Sequence, residues 1–85
     1  MGKLDKVFRQ ILTGGSDRNI SFGDLRYLLL RFGFKERVKG SHHIYTNETI
    51  EEIINLQEKN GMAKPYQVKQ VRQILVKYKL EPRDE

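Results

Sequence analysis

Residues 34–57 read FKERVKGSHHIYTNETIEEIINLQ, and this stretch decides the fold because it holds three strand patterns separated by short turns. From Phe34 to Lys39, basic side chains alternate with apolar or acidic ones, which is the period of a half-exposed strand. Gly40-Ser41 predicts a tight turn into a second strand, His42–Thr46, and Asn47-Glu48 predicts the next turn. Such closely spaced strands pair antiparallel, because a parallel crossover needs about a dozen residues or more.

The third strand predicted in this stretch covers Ile50–Gln57. Glu51 and Glu52 lower its strand propensity, and Ile53–Leu56 would also suit a helix. A strand is favoured because the run is short and β-branched and because turn residues bound it.

Helical patterns flank the strands on both sides. Upstream, Gly14-Gly15 predicts the end of a first helix, and a polar loop covers residues 13–19. Ser21 predicts the cap of a second helix, with Asp24 in the place of the capping-box Glu, and Gly33 predicts its end. The apolar positions of the two helices are Leu4, Val7, Phe8, Ile11 and Leu12 in the first and Phe22, Leu25, Leu28, Leu29 and Phe32 in the second.

Downstream of the strands, Asn60-Gly61 predicts a turn, and Pro65 fits the first turn of a last helix. Its predicted apolar stripe is Val68, Val71, Leu75 and Tyr78. Helices gathered on one face of a three-stranded antiparallel sheet make an α+β sandwich, with an added helix at the N-terminus. With 85 residues, one domain is expected: 1–20 as N-terminal helix and loop, 21–80 as the core and 81–85 as a charged tail.

Composition narrows the class of protein. Hydrophobic residues make up 38% and charged residues 32% of the chain, which suits a modest core beneath a solvated surface. The chain has no cysteine, so disulfides, a thiolate nucleophile and Cys-rich zinc sites are excluded. No secretory or membrane-spanning apolar run is present, and a cytoplasmic protein without membrane association is predicted.

The basic residues are clustered. The net charge is +5, with six basic and no acidic residues between Lys59 and Lys79, and five basic residues against Glu36 alone between Arg26 and Lys39. Such patches bind a polyphosphate backbone, or they form a solvated face that keeps the protein soluble.

The two histidines, His42 and His43, are adjacent on a predicted strand, so their side chains point to opposite faces. They therefore do not converge on one metal, and neither a metal site nor a cofactor is predicted. A strand histidine is often a packing residue. His42, however, follows a basic strand through a Gly-Ser turn, where an imidazole can exchange protons while cations hold a phosphodiester.

Other candidate residues have simpler interpretations. Ser41 has no acidic neighbour to complete a triad, so it is a turn residue or a phosphate donor and not a nucleophile. Tyr45 and Tyr66 can stack on bases, but packing is favoured for both. Gly14-Gly15 lacks the spacing of a phosphate-binding loop.

The residues resemble the HicA family of bacterial toxins. The resemblance rests on Arg31-Phe32-Gly33-Phe34, Lys39-Gly40-Ser41-His42-His43-Ile44-Tyr45, Ile54-Asn55-Leu56-Gln57, and Gly61 followed by Ala63-Lys64-Pro65-Tyr66-Gln67-Val68. The blocks occur in order over residues 21–80, and the leading helix is similar to a longer branch of the family. Two positions differ from the pattern: Met62 stands where a basic residue is expected, and Glu51-Glu52 add negative charge to the third strand.

The resemblance implies a fold like a double-stranded-RNA-binding domain, cleavage of mRNA, and neutralisation by a HicB antitoxin. The essential histidine of the family, the one after Gly-Ser, corresponds to His42.

Three hypotheses follow from these residues. The first is a metal-independent endoribonuclease in which His42 is the general base or acid. The second is a non-catalytic module that binds double-stranded RNA, and the third is an interaction protein whose basic face meets an acidic partner. The residues predicted to hold RNA in the first hypothesis are Lys35, Arg37, Lys39, Gly40, Ser41, Lys64, Lys69 and Arg72.

Overall fold

The structure, a computed structural model, describes residues 2–82. Over these residues the order of elements is α1 (Lys3–Thr13), a 3₁₀ turn (Asp17–Asn19), α2 (Phe22–Arg31), β1 (Lys35–Lys39), β2 (His42–Asn47), β3 (Ile50–Gln57) and α3 (Pro65–Lys77). The predicted α+β order is confirmed, including the strand at Ile50–Gln57. The predicted charged tail falls largely outside the described residues, which end at Pro82.

Local chemistry sets the ends of α2. The Ser21 hydroxyl accepts a hydrogen bond from the backbone N–H of Asp24 at 3.0 Å, so the predicted N-cap is confirmed. After the helix, Gly33 adopts a positive φ of 88°, and the N–H of Phe34 donates to the Leu29 carbonyl at 3.1 Å. These features form a Schellman motif, in which glycine is favoured because it has no Cβ to clash.

The C-terminus of α3 uses the same motif with a less suitable residue. Lys79 has a φ of +53°, and the N–H of Leu80 donates to the Leu75 carbonyl at 2.9 Å. A lysine therefore occupies a left-handed position that glycine would adopt without strain.

The three strands form one open antiparallel sheet in the order β1-β2-β3. Lys39 lies opposite His42 in the first pair, and in the second His42 lies opposite Gln57 and Ile44 opposite Asn55. One face of the sheet packs on the helices. The other face, here called the outer face, carries no helix or loop from residues 2–82. It includes Lys35, Arg37, Lys39, His42, Ile44, Thr46, Ile53, Asn55 and Gln57.

The core lies between the sheet and the helices. Its buried side chains come from every helix and strand except β1 and include Phe34 just before that strand. Leu12, predicted as part of the α1 stripe, is 40% exposed, because the buried positions Leu4, Val7 and Ile11 leave it one step round the helix. Within residues 2–82, no helix combines the length and apolar character needed to cross a bilayer.

Candidate active site

The β1–β2 hairpin places His42 at the start of β2. Gly40 has a φ of +60°, and two residues, Gly40 and Ser41, connect Lys39 to its partner His42. Two-residue hairpin loops commonly need glycine with a positive φ at the first central position. The Gly-Ser turn therefore fixes the register that brings an imidazole opposite the last cation of the basic strand.

The two histidines lie on opposite faces of the sheet, as predicted. His42 is exposed on the outer face. The side chain of His43 is only 23% exposed, its Nδ1 lies 3.3 Å from Glu36 Oε2, and its ring packs against that of Phe22 in a T-shaped arrangement with centroids 4.8 Å apart. His43 is therefore a packing residue, whereas His42 is accessible to a ligand.

Two amide side chains of β3, Asn55 and Gln57, lie at the same end of the sheet as His42. The Nδ1 of His42 lies 3.0 Å from Asn55 Oδ1. Gln57 Nε2 donates to Ser41 Oγ at 3.2 Å, and Lys64 Nζ donates to Gln57 Oε1 at 3.4 Å. The structure thus brings the predicted site residues Ser41, His42 and Lys64 to one end of the sheet.

Sequence reasoning missed Asn55 and Gln57. The period of a strand puts positions 55 and 57 on the same face, but it does not say which residues of β2 they meet. Only the register, with Gln57 opposite His42, identifies them as neighbours of the imidazole.

The basic strand has the predicted orientation. Lys35, Arg37 and Lys39 are all exposed on the outer face. Lys35 Nζ lies 3.9 Å from Glu48 Oε1, with both side chains more than three-quarters exposed, so this contact contributes little. The three cations form a positive row that leads to His42.

Glu36, between two of these cations on β1, points to the side of the sheet that faces the helices. Glu36 accepts two hydrogen bonds from Arg26, at 2.7 and 2.9 Å, and one from the Tyr45 hydroxyl at 2.6 Å. The Arg26 bonds, with those from Tyr45 and His43, lower the pKa of Glu36 to about 2. Burial, followed by the bond to Glu36, raises the pKa of Tyr45. The ionised carboxylate therefore ties β1 to β2 and α2.

Of the predicted RNA contacts on α3, Arg72 pairs with Asp17, and the charge of Lys69 also acts on that carboxylate. Arg72 donates to both carboxylate oxygens of Asp17, at 2.8 and 3.0 Å, and to the Ile11 carbonyl at 3.1 Å. The hydrogen bonds from Arg72 to the carboxylate lower the pKa of Asp17, and the charge of Lys69 contributes to the same shift. The Arg72 side chain is 21% exposed, so its geometry serves the packing of α1 on α3.

The two tyrosines that could stack on bases differ in exposure. Tyr45 is fully buried, which confirms the packing interpretation. Tyr66 is 64% exposed, so the same prediction is wrong there, because the second residue of α3 faces solvent. Tyr66 is an exposed aromatic ring two residues after Lys64.

No group of three or more His, Cys, Asp or Glu side chains is arranged to hold a metal ion among residues 2–82. Comparison of the chain with family models, curated proteins and solved structures gives no match.

Proposed function

We propose that this chain is an RNA-cleaving toxin of the HicA kind, a metal-independent endoribonuclease with His42 as its catalytic residue. The observation that supports this most is the position of His42, which is exposed at the end of a row of cations and held at Nδ1 by Asn55. The Gly40-Ser41-His42 motif in the resemblance to the family points to the same residue.

RNA supplies its own nucleophile, so the reaction needs few protein groups. His42 takes the proton of a 2′-hydroxyl, and the O2′–P bond forms while the P–O5′ bond breaks. The departing 5′-oxygen receives a proton from water, and a 2′,3′-cyclic phosphate remains. One base and an electrostatic clamp on the phosphate therefore suffice.

The clamp in this proposal is the outer face around His42. Lys35, Arg37 and Lys39 hold the RNA backbone, and Gly40 and Ser41 lie near the scissile phosphate. Lys64 adds a further cation to this surface, because its Nζ binds the side chain of Gln57. Lys69 is kept as a predicted RNA contact. Arg72 is not part of the clamp, because both terminal nitrogens of its guanidinium already donate to Asp17.

The finer likeness to a double-stranded-RNA-binding domain and the cytoplasmic location belong to the same proposal. So does the partner, a HicB-like antitoxin that covers His42 with an acidic or neutral patch. Such an interface buries on the order of 1,200–2,000 Å² in total. Replacing Arg37 or Lys39 is expected to weaken antitoxin association and RNA cleavage together, because both ligands use one surface.

The decisive experiment is an RNA cleavage assay with a chelator present. The parent protein and His43→Ala are expected to cut RNA, whereas His42→Ala binds RNA without cutting it. RNA bound but not cut by the parent protein would favour the non-catalytic module. No RNA binding would favour the interaction protein, and equal loss in both histidine variants would refute the assignment of His42.

A further inference from the structure

We infer that Asn55 is a positioning residue that sets the tautomer of His42, an inference whose catalytic meaning rests on the proposed function. Asn55 Oδ1 lies 3.0 Å from His42 Nδ1. The contact runs diagonally across β2 and β3, because His42 is paired with Gln57 and Asn55 with Ile44. Asn55 therefore contacts the imidazole from a diagonal position on β3, two residues before the residue paired with His42.

An amide oxygen has no proton to donate, so the ring nitrogen that faces it is the donor. In neutral His42 the proton is then on Nδ1, and the lone pair is on Nε2. Nε2 is on the other side of the ring from Asn55. The contact thus prepares the nitrogen that faces away from β3 to accept a proton.

The backbone of Asn55 is bound by a buried side chain. Gln67, 1% exposed, donates from Nε2 to the backbone carbonyl of Asn55 at 3.5 Å and accepts at Oε1 from the backbone N–H of Lys64 at 3.2 Å. Apart from Tyr45, whose hydroxyl binds Glu36, it is the one buried side chain with a polar group among residues 2–82. The start of α3 is therefore anchored to β3 at the residue that contacts His42.

A neutral amide suits a surface that binds a polyanion. A carboxylate at position 55 would orient the ring equally well, but it would also stabilise the imidazolium and repel phosphate. Asn55→Asp is therefore expected to keep the Nδ1–H tautomer, to move the pH profile of cleavage to higher pH and to weaken RNA binding. Asn55→Ala removes the orienting bond altogether.

The first arm of the test reads the tautomer directly and needs no RNA. Long-range proton–nitrogen correlation spectra of the full chain are recorded at mildly alkaline pH, with His42→Gln used to assign the signals. The expected result is the Nδ1–H form at His42 in the parent and in Asn55→Asp, and a shift toward the Nε2–H form in Asn55→Ala. His43 is the internal control, since Glu36 holds its Nδ1 on the opposite face.

The second arm measures cleavage. Asn55→Ala is expected to lower the rate about tenfold to a hundredfold, a part of the roughly 10²–10⁴-fold that a positioned general base contributes, while RNA affinity and thermal unfolding stay near those of the parent. An Nε2–H tautomer in the parent, or a tautomer that Asn55→Ala leaves unchanged, would overturn the inference. A parent protein that cuts no RNA would overturn the proposed function alone, because the tautomer is still measured by the first arm.

Discussion

At the scale of single residues, His42 and His43 show how a strand gives two identical side chains different surroundings. His43 contacts Phe22 and Glu36 beneath the sheet, and His42 contacts Asn55 above it. The first set of contacts belongs to the packed side of the molecule. The second belongs to a surface that is open to a ligand.

The stability of the two alanine variants is expected to differ for this reason. His43→Ala loses an aromatic contact and a hydrogen bond to a carboxylate, and the free energy of unfolding falls by about 1–2 kcal/mol. His42→Ala changes it by less than about 0.5 kcal/mol, as is usual for an exposed position. Urea denaturation of both variants measures the difference, and a larger loss for His42→Ala would contradict the assignment of faces.

Glu36 makes the stability of the fold depend on pH. Its pKa is lowered from 4.5 to about 2, so the stabilisation is complete above pH 4.5 and is lost as the pH falls toward 2. Glu36→Gln is expected to lower the free energy of unfolding by about 1–2 kcal/mol at neutral pH and to flatten its decline in acid.

Denaturation at a series of pH values provides the measurement. Glu48→Gln is the matched control, because Glu48 is almost fully exposed and lies 3.9 Å from Lys35. An acid profile changed equally by both substitutions would remove Glu36 as the cause.

At the scale of the elements, a residue just after the C-terminus of α3 lowers the stability of the fold. Lys79 occupies a left-handed position at a φ of +53°. Lys79→Gly relieves this strain and is expected to raise the free energy of unfolding by about 0.5–1 kcal/mol, after the entropy cost of glycine. Lys79→Ala is the control, since it removes the charge and keeps the strain. A gain of the same size in both variants would assign the effect to charge.

The elements themselves are predicted well because their ends depend on neighbouring residues. Ser21, Gly33 and Pro65 act within one turn of chain, and each does what its residue type predicts. Contacts between side chains of different elements could not be predicted from the sequence. Asn55 meets His42 through strand register, and Arg72 meets Asp17 across 55 positions of the chain, which no local pattern encodes.

At the scale of the whole molecule, the net charge is +5, and the basic residues differ in whether an ion pair engages them. Ion pairs occupy Arg26 and Arg72 on the helical side, while Arg37 and Lys39 are exposed on the outer face. The proposed function needs the second group. Removing those charges is therefore expected to affect RNA more than removing a charge elsewhere.

The salt dependence of RNA binding tests this division. Arg37→Gln and Lys39→Gln are each expected to lower the slope of log K against log salt by about 0.7–0.9 for every phosphate that is no longer neutralised. Lys6→Gln removes the same charge from α1 and is expected to leave the slope unchanged. A similar decrease in all three variants would mean that net charge, and not the outer face, governs binding.

The meander topology also has a consequence for the order in which the molecule folds. Each strand pairs with the next one along the chain through a two-residue connection, so these loops cost little entropy to close. The contact of Arg72 with the Ile11 carbonyl instead spans 61 positions. In stopped-flow experiments, Gly40→Ala is expected to slow folding, and Arg72→Gln is expected to accelerate unfolding. These two results would place the hairpin that presents His42 in the folding transition state, before α3 docks against α1, whereas an unchanged folding rate in Gly40→Ala would contradict this order.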